Sequence, residues 1–448
     1  MQDSVSLGRV FRLWLPLAAS WLLMGVELPM LQVFVNRMDD AKIHLAAYGS
    51  IAFAIALVIE GPIIQLLAAS TALCGDEDSF RKVRRFMWVS SFWLTVVHVV
   101  VAFTPVYDWV AGVLLDVPEA IKEPGRLGLQ ILLPWTAAIA YRRFHQGVLI
   151  RFERSRLVSI GTVVRLLSIT SVMATASMVD HLGWAEVPGV AVGALGISAG
   201  VTAEAIFIGW AVRATVRERL IGTPPSGPPL TRRAFTAFYL PLALMPLLTL
   251  VIQPTGTAAM GRMPDELNSL AAWPVVHSVV FLLRSGGFAY NEVVVALLGR
   301  PGAVAALRRF ALLLAGTTSG ILLLLGTTPL AELYFGAITE LPEELMVYAR
   351  TGVLIAVLMP AYQALQSWYG GILVHARRTR AITEAVGLYA TIALIGLWWG
   401  AEHATIPGLY FAESVFVTGG ICQTIWLAIR ARRSIRRAAA EELEAAPA

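Results

Sequence analysis

The chain has 448 residues, of which 57% are hydrophobic and only 15% charged, and its mean hydropathy is +0.69. A water-soluble chain of this length carries about a quarter charged residues, so the composition excludes an ordinary soluble protein and makes lipid the main solvent. The formal net charge of +5 does not restore a nucleic-acid role, because the basic residues gather in short clusters between apolar runs.

Windows of ~20 apolar residues place about twelve membrane spans along the chain. The first six lie near 10–35, 45–72, 86–107, 128–150, 157–179 and 188–213. The second six lie near 234–260, 269–298, 309–332, 346–374, 382–400 and 406–430. The first apolar run is too long for a cleaved signal peptide and leads straight toward the second span, so it reads as a retained helix. Most Lys and Arg fall in the N-terminal tail, in alternate loops and their helix ends, and in the C-terminal tail, as in "RKVRR", "RFERSR", "RRTR" and "RARRSIRR". Such asymmetry is the positive-inside signature, which puts both termini in the cytoplasm. The compact length and arginine-rich loops suggest a multi-pass protein of a bacterial inner membrane. Cys74 and Cys422 are too few and too far apart for a disulfide framework or a thiolate metal site.

The chain repeats itself at an offset of about 225 residues. "LPLA" at 15–18 returns at 240–243, Pro29 as Pro254, and Arg37-Met38 as Arg262-Met263. "LAAY" at 45–48 returns as "LAAW" at 270–273, and "GVLIRFERSR" at 147–156 as "GILVHARRTR" at 371–380. Six spans in each half insert with one orientation, which makes a parallel repeat of the kind found in secondary transporters. The expected organisation is an N-terminal lobe over 1–216, a Pro/Gly-rich cytoplasmic linker over 217–233, a C-terminal lobe over 234–437 and a flexible tail over 438–448.

Residues 58–65 read "VIEGPIIQ", placing a carboxylate, a glycine and a proline together inside an apolar span. At the repeat offset Gly61 falls on Gly286, within "LLRSGGFAYNE". Matched interruptions in corresponding helices point to a transporter's binding site, where freed backbone groups face a wet cleft. Gly61, Pro62, Gly286, Gly287, Pro29 and Pro254 are therefore the expected helix breaks.

Charges inside spans are costly and imply a cavity or a partner. Arg284 lies roughly 24 Å along its helix, and Glu60 sits at a similar depth in the first half. Either they form an anion-binding arginine with a carboxylate opposite, or they pair and staple the halves together. His277, Arg284 and Asn291 recur every seven residues, with Glu292 beside them, and so share one helix face. His277 reads equally well as a pathway residue or an interfacial one. Glu27, in the outer part of the first span, suits ion coupling, and Glu60 shares that role. Glu204, which corresponds to Gln423, is a coupling site or a partner in an interhelical hydrogen bond. Arg142, Arg143 and His145 either anchor the fourth span at the cytoplasmic surface or form an electropositive vestibule that gathers anions. Arg165 lies too deep for a loop role and joins the substrate-binding candidates. Glu384 and Glu413, near opposite ends of their spans, carry little weight. There is no HExxH motif and no Walker A loop, and Asp39-Asp40 is a weak hint of a metal-dependent membrane transferase. No cofactor or metal is expected.

Several of these stretches resemble the superfamily of MATE exporters and polysaccharide flippases (MOP), closest to the progressive ankylosis (ANKH) family. The marks are "NRM" (36–38), "LAAYG" (45–49), Gly61-Pro62, "HQGVLIR" (145–151), "FYLPLAL" (238–244) and Asn291-Glu292. The resemblance implies export of small organic anions, such as citrate-like carboxylates or phosphate compounds. The combined expectation is an all-α polytopic membrane protein with twelve helices in two six-helix lobes. It would act as a monomeric alternating-access transporter, coupled to H⁺ or Na⁺, with its cleft between spans 1, 2, 7 and 8. A MATE-like exporter of organic cations, a flippase for a lipid-linked anion and a membrane transferase are the rival readings.

Overall fold

The computed structural model describes residues 4–35, 37–115, 118–225, 229–338 and 343–444, and among them the chain is helical without a strand. Asn36 of the "NRM" motif and 226–228 of the expected linker lie outside the described residues. Ten described helices are long and apolar enough to cross a membrane. The two other expected spans, near 128–150 and 234–260, are helical as well, at Leu133–Arg151 and Arg232–Met260. The first of these carries Arg142, Arg143 and Arg151 within 19 residues, which lowers its hydropathy. The fold is an all-α polytopic one, as expected.

Two units make up the chain, Leu22–Phe235 and Met1–Trp21 with Thr236–Ala448. The division falls inside helix α1 (Leu7–Met24) and again just past the expected linker. In the first unit α2 (Glu27–Val35) is followed by α3 (Ala41–Ala47), a π-helical stretch Tyr48–Phe53, α4 (Ala54–Ile64) and α5 (Leu66–Leu73). Next come α6 (Glu77–Phe103), α7 (Val106–Trp109), α8 (Glu119–Ile131), α9 (Leu133–Arg151), α10 (Ser155–His181) and α11 (Gly189–Arg219). The second unit holds α12 (Arg232–Met260), α13 (Glu266–Leu297), α14 (Ala303–Thr327), α15 (Glu343–Ile355), α16 (Met359–His375), α17 (Arg380–His403) and α18 (Gly408–Glu444).

Local chemistry sets many of these boundaries. Asp76 caps α6 by accepting a hydrogen bond from Ser79 N at 2.9 Å, and Glu77 and Asp78 place negative charge on the first turn. Pro134 and Pro360 stand at the first turns of α9 and α16, where a missing N–H costs nothing. The sequence repeat is also a repeat of backbone conformation. Asp40 and Asp265, ahead of α3 and α13, both adopt positive φ (50° and 59°), and so do Glu153 and Arg377 (59° and 57°) in the turns after α9 and α16. Four non-glycine residues in the left-handed region, paired at the repeat offset, mark two copies of one plan.

Small residues let the helices of each unit approach closely. A Cβ on Gly147 of α9 would lie 2.4 Å from Leu67 O of α5, and one on Gly371 of α16 would lie 3.0 Å from Asn291 O of α13. Both positions begin the repeated "GVLIR"/"GILVH" motif, so the same crossing of fourth and second spans recurs in each unit. Large apolar side chains such as Phe92, Trp93, Ile206, Trp210 and Trp398 are exposed, as lipid-facing residues must be.

Not every expected break is present. The first span breaks at Gly25–Val26, with Pro29 inside the first turns of α2. The second span departs from α-geometry at Tyr48–Phe53 and again at Gln65, three residues after Pro62. α12 runs through Pro254 without interruption. Gly286 and Gly287 do not break α13, which is continuous for 32 residues. Their role is packing: Trp14 Nε1 donates to Gly286 O at 2.8 Å, and a Cβ on Gly287 would meet Gln363 Cγ of α16 at 2.8 Å. The tail expected to be flexible from 438 is helical to Glu444, and 445–448 lie outside the described residues. Glu442 Oε1 there accepts from Val304 N at 2.9 Å, satisfying one of the open amides at the start of α14.

Candidate functional site

Each unit carries its own buried polar cluster. In the first unit the centre is Glu204, on the Gly/Ala-rich middle of α11, and it is fully buried. Small residues there let α10 approach so closely that a Cβ on Gly200 would lie 2.9 Å from Arg165 O. Glu204 Oε2 accepts from Arg142 Nη1 at 2.6 Å, and Oε1 accepts from Gln146 Nε2 at 2.9 Å. Arg165 Nη1 stands 3.4 Å from Glu204 Oε2, and its Nη2 pairs with Glu27 Oε1 of α2. Two guanidiniums and two carboxylates thus alternate as Arg142–Glu204–Arg165–Glu27, and their formal charges cancel. Charge-assisted contacts of this kind offset the desolvation that burial imposes.

Glu60 lies apart from that chain of pairs. It is 1% exposed, on α4, with Thr136, Arg142 and Arg143 as polar neighbours. Its carboxylate forms no ion pair among the described residues, and the Thr136 hydroxyl is the hydrogen-bonding group it faces.

In the second unit the cluster gathers on α13, α16, α17 and α18. Arg284 Nη2 donates to Gln363 Oε1 at 2.8 Å, and the guanidinium lies 5.4 Å from the Phe288 ring centre and 5.8 Å from that of Tyr362. Its Nε is buried without a hydrogen-bond partner among the described residues. Glu413 of α18 is fully buried, and among the described residues neither of its oxygens has a hydrogen bond. His277 Nδ1 stands 4.0 Å from Glu413 Oε1, while the imidazole stacks on Trp273 with centroids 4.5 Å apart. Tyr362 and Tyr389 share the electrostatic field of Arg284 and Glu413. A cationic fork with an open N–H, a bare carboxylate and aromatic faces form one polar site in an apolar helix bundle.

No protein-family model matches the chain, and no curated protein does. Solved structures do match over nearly its whole length. A MATE transporter from Vibrio cholerae, VcmN, aligns with a TM-score of 0.74 at 16% identity, covering 96% of this chain and 97% of its own. A eukaryotic MATE transporter aligns with a TM-score of 0.73 at 12% identity, covering 96% and 97%. A MOP-superfamily transporter from Pyrococcus furiosus, described as having a binding pocket of reversed polarity, aligns with a TM-score of 0.69 at 14% identity over 95% and 96%. The fold is that of the MATE transporters. At these identities the likeness is one of architecture, and the progressive ankylosis likeness stands on the sequence motifs alone.

On this MATE fold the expected residues fall into three groups. Glu27, Arg165, Glu204 and Arg142 come together in the first cluster, with Glu60 near Arg142. Arg142 is therefore buried in an ion pair rather than lining a vestibule. His145 is buried too, packed on the Tyr141 ring at 4.1 Å, while Arg143 is half-buried. His277 and Arg284 share the second cluster, whereas Asn291 and Glu292 lie two turns on, where Asn291 faces Gly370. Glu60 and Arg284 belong to different units.

Gln146 and Gln363 were not among the sequence candidates, and Glu413 carried little weight there. Glu413 had a signal: it is the lone acidic residue between Glu402 and Glu441. The glutamines had none, since an amide in a span gains meaning only from what it touches. Asp40, weighed as half of a metal-binding pair, instead takes the left-handed position at the start of α3.

Proposed function

We propose that this protein is an ion-coupled, alternating-access membrane transporter of small organic anions, such as citrate-like carboxylates or phosphate compounds. The observation that carries the anionic substrate is Arg284. Gln363 holds its guanidinium beside the Phe288 and Tyr362 rings, and its buried Nε–H has no hydrogen-bond partner among the described residues. A planar fork poised this way suits a carboxylate or phosphate oxygen. The fold supports a transporter in preference to a membrane transferase. The Pyrococcus furiosus relative's description supports the idea that pockets of different polarity occur on one scaffold.

In this reading Glu60 and Glu413 take up the coupling cation, H⁺ or Na⁺, because a carboxylate without a guanidinium partner in a membrane helix needs neutralising. Glu27 and Glu204, engaged by arginines, position the first cluster and do not exchange ions. Binding by Asn291 and Glu292, export as the direction and a cytoplasmic location of both termini complete the proposal.

Citrate uptake into proteoliposomes, driven by an imposed proton or sodium gradient, tests this directly. Wild type should accumulate citrate, Arg284→Ala should not, and Arg284→Lys should keep part of the turnover. Gradient-driven movement of an organic cation such as ethidium, with no anion transport, would favour the MATE-like cation exporter instead. The same two carboxylates, Glu60 and Glu413, buried without a guanidinium partner among the described residues, are the observation that supports that second reading.

A further inference from the structure

Away from both clusters, the end of the second unit where α16 turns into α17 beside α18 carries a cavity of ≈ 570 Å³. Arg378, Arg380, Arg430 and Arg433 line it, over an apolar floor that includes Leu373 and Ile429. The turn that builds it is well anchored. Arg377 takes a left-handed conformation (φ 57°), Arg378 N donates to Leu373 O at 2.7 Å, and Thr379 Oγ1 donates to Phe238 O at 2.6 Å. These bonds fix the direction in which Arg378 and Arg380 leave the backbone.

The charge at this place is unbalanced. Glu384 is the carboxylate that meets it, forming ion pairs with Arg380 Nε at 3.2 Å and with Arg430 Nη2 at 3.0 Å. Arg378 and Arg433 form no ion pair among the described residues. One acid among four guanidiniums leaves a net excess of positive charge around a cavity whose volume suits a small polar group. Beyond the arginines, α18 presents Ile421, Ile425 and Ile429, at 36, 54 and 50% exposure. Their spacing of four residues makes a continuous apolar ridge along one helix face. The ridge leads directly to the basic cavity, with Arg430 resting 5.9 Å from the Trp426 ring centre between them.

We infer that this cavity is a binding site for the phosphate of an anionic glycerophospholipid, with its acyl chain lying along the Ile421–Ile425–Ile429 ridge. Guanidinium forks match phosphate oxygens, and basic pockets at the ends of membrane helices hold acidic headgroups. A free phosphate would use the arginines but gain nothing from the ridge.

The test is thermal unfolding of the purified full chain in detergent, titrated with phosphatidylglycerol, phosphatidylcholine or inorganic phosphate. Phosphatidylglycerol should raise Tm saturably, and Arg378→Gln with Arg433→Gln should weaken its apparent affinity at least about tenfold, as expected for losing charge-assisted hydrogen bonds. Both side chains are exposed, so the variant's lipid-free Tm should match wild type. Arg308→Gln with Arg309→Gln on α14 removes the same charge elsewhere and should leave the response intact. An equal response to phosphatidylcholine, or an unchanged response in the Arg378/Arg433 variant, would overturn the site. A full shift with inorganic phosphate alone would overturn the lipid assignment.

Discussion

Arg142 Nη1 donates to Glu204 Oε2 at 2.6 Å between α9 and α11, with both side chains buried. The pair closes a row of alternating charges that continues through Arg165 to Glu27. Its members were separate candidates for substrate, ion and vestibule roles along the sequence. Their shared burial makes them one electrostatic unit, and the stability of the first unit depends on its neutrality.

Removing Glu204 should therefore destabilise the protein far more than removing a surface acid. Glu204→Ala leaves Arg142 buried without its counter-charge, a loss of about 3–5 kcal/mol. Arg142→Met combined with Glu204→Met should recover most of the stability, because Glu27 and Arg165 still neutralise each other. Melting temperatures in detergent check both, and a double variant as unstable as the single would refute the pairing argument.

Glu60 and Glu413 predict the opposite pattern. Neither residue is paired with a guanidinium among the described residues, so glutamine, which keeps the shape and can still hydrogen-bond, should leave Tm close to wild type. Gradient-driven uptake should nonetheless disappear in whichever variant removes the coupling site. Full coupling in both Glu60→Gln and Glu413→Gln would transfer the ion site elsewhere.

Gln363→Leu should separate positioning from binding at Arg284. The substitution removes a hydrogen bond to a charged group, an effect of about 1.5–3 kcal/mol. If that bond holds the guanidinium in place for an anion, KM for citrate should rise about tenfold or more while kcat changes little. A fall in kcat at constant KM would assign Gln363 to the conformational cycle instead.

Gly147→Ala and Gly371→Ala test whether the repeated motif is a packing device. An added Cβ would lie 1.9 Å from Ser70 Oγ at Gly147 and 2.6 Å from Val294 Cβ at Gly371. Backbone carbonyls stand close behind in both places, so the helices must move apart. Both variants should lower Tm, whereas alanine at Gly316 or Gly320, which face open space, should not. Equal stability of all four variants would show that the close crossings are not needed.

Composition and order along the chain determined the membrane class, the places of the helical spans and the internal repeat. These depend on quantities that are local in sequence: an apolar run long enough to cross a bilayer, a proline at a first turn, a motif returning at a fixed offset. The repeat was legible even to single residues, since Asp40 with Asp265 and Glu153 with Arg377 share their unusual backbone conformation. Partnership was not legible. Glu204 meets Arg142 and Gln146 across a helix interface, and Arg284 meets Gln363 across another, because helix rotation and crossing decide which faces touch. The glycines show the limit most clearly. Gly286-Gly287 reads as a helix break beside a charge, yet α13 passes through it intact, because the missing side chains admit Trp14 and the α16 backbone. A glycine's local freedom is written in the sequence, but whether it is spent on a bend or on close packing is decided by the neighbour that only the tertiary fold supplies.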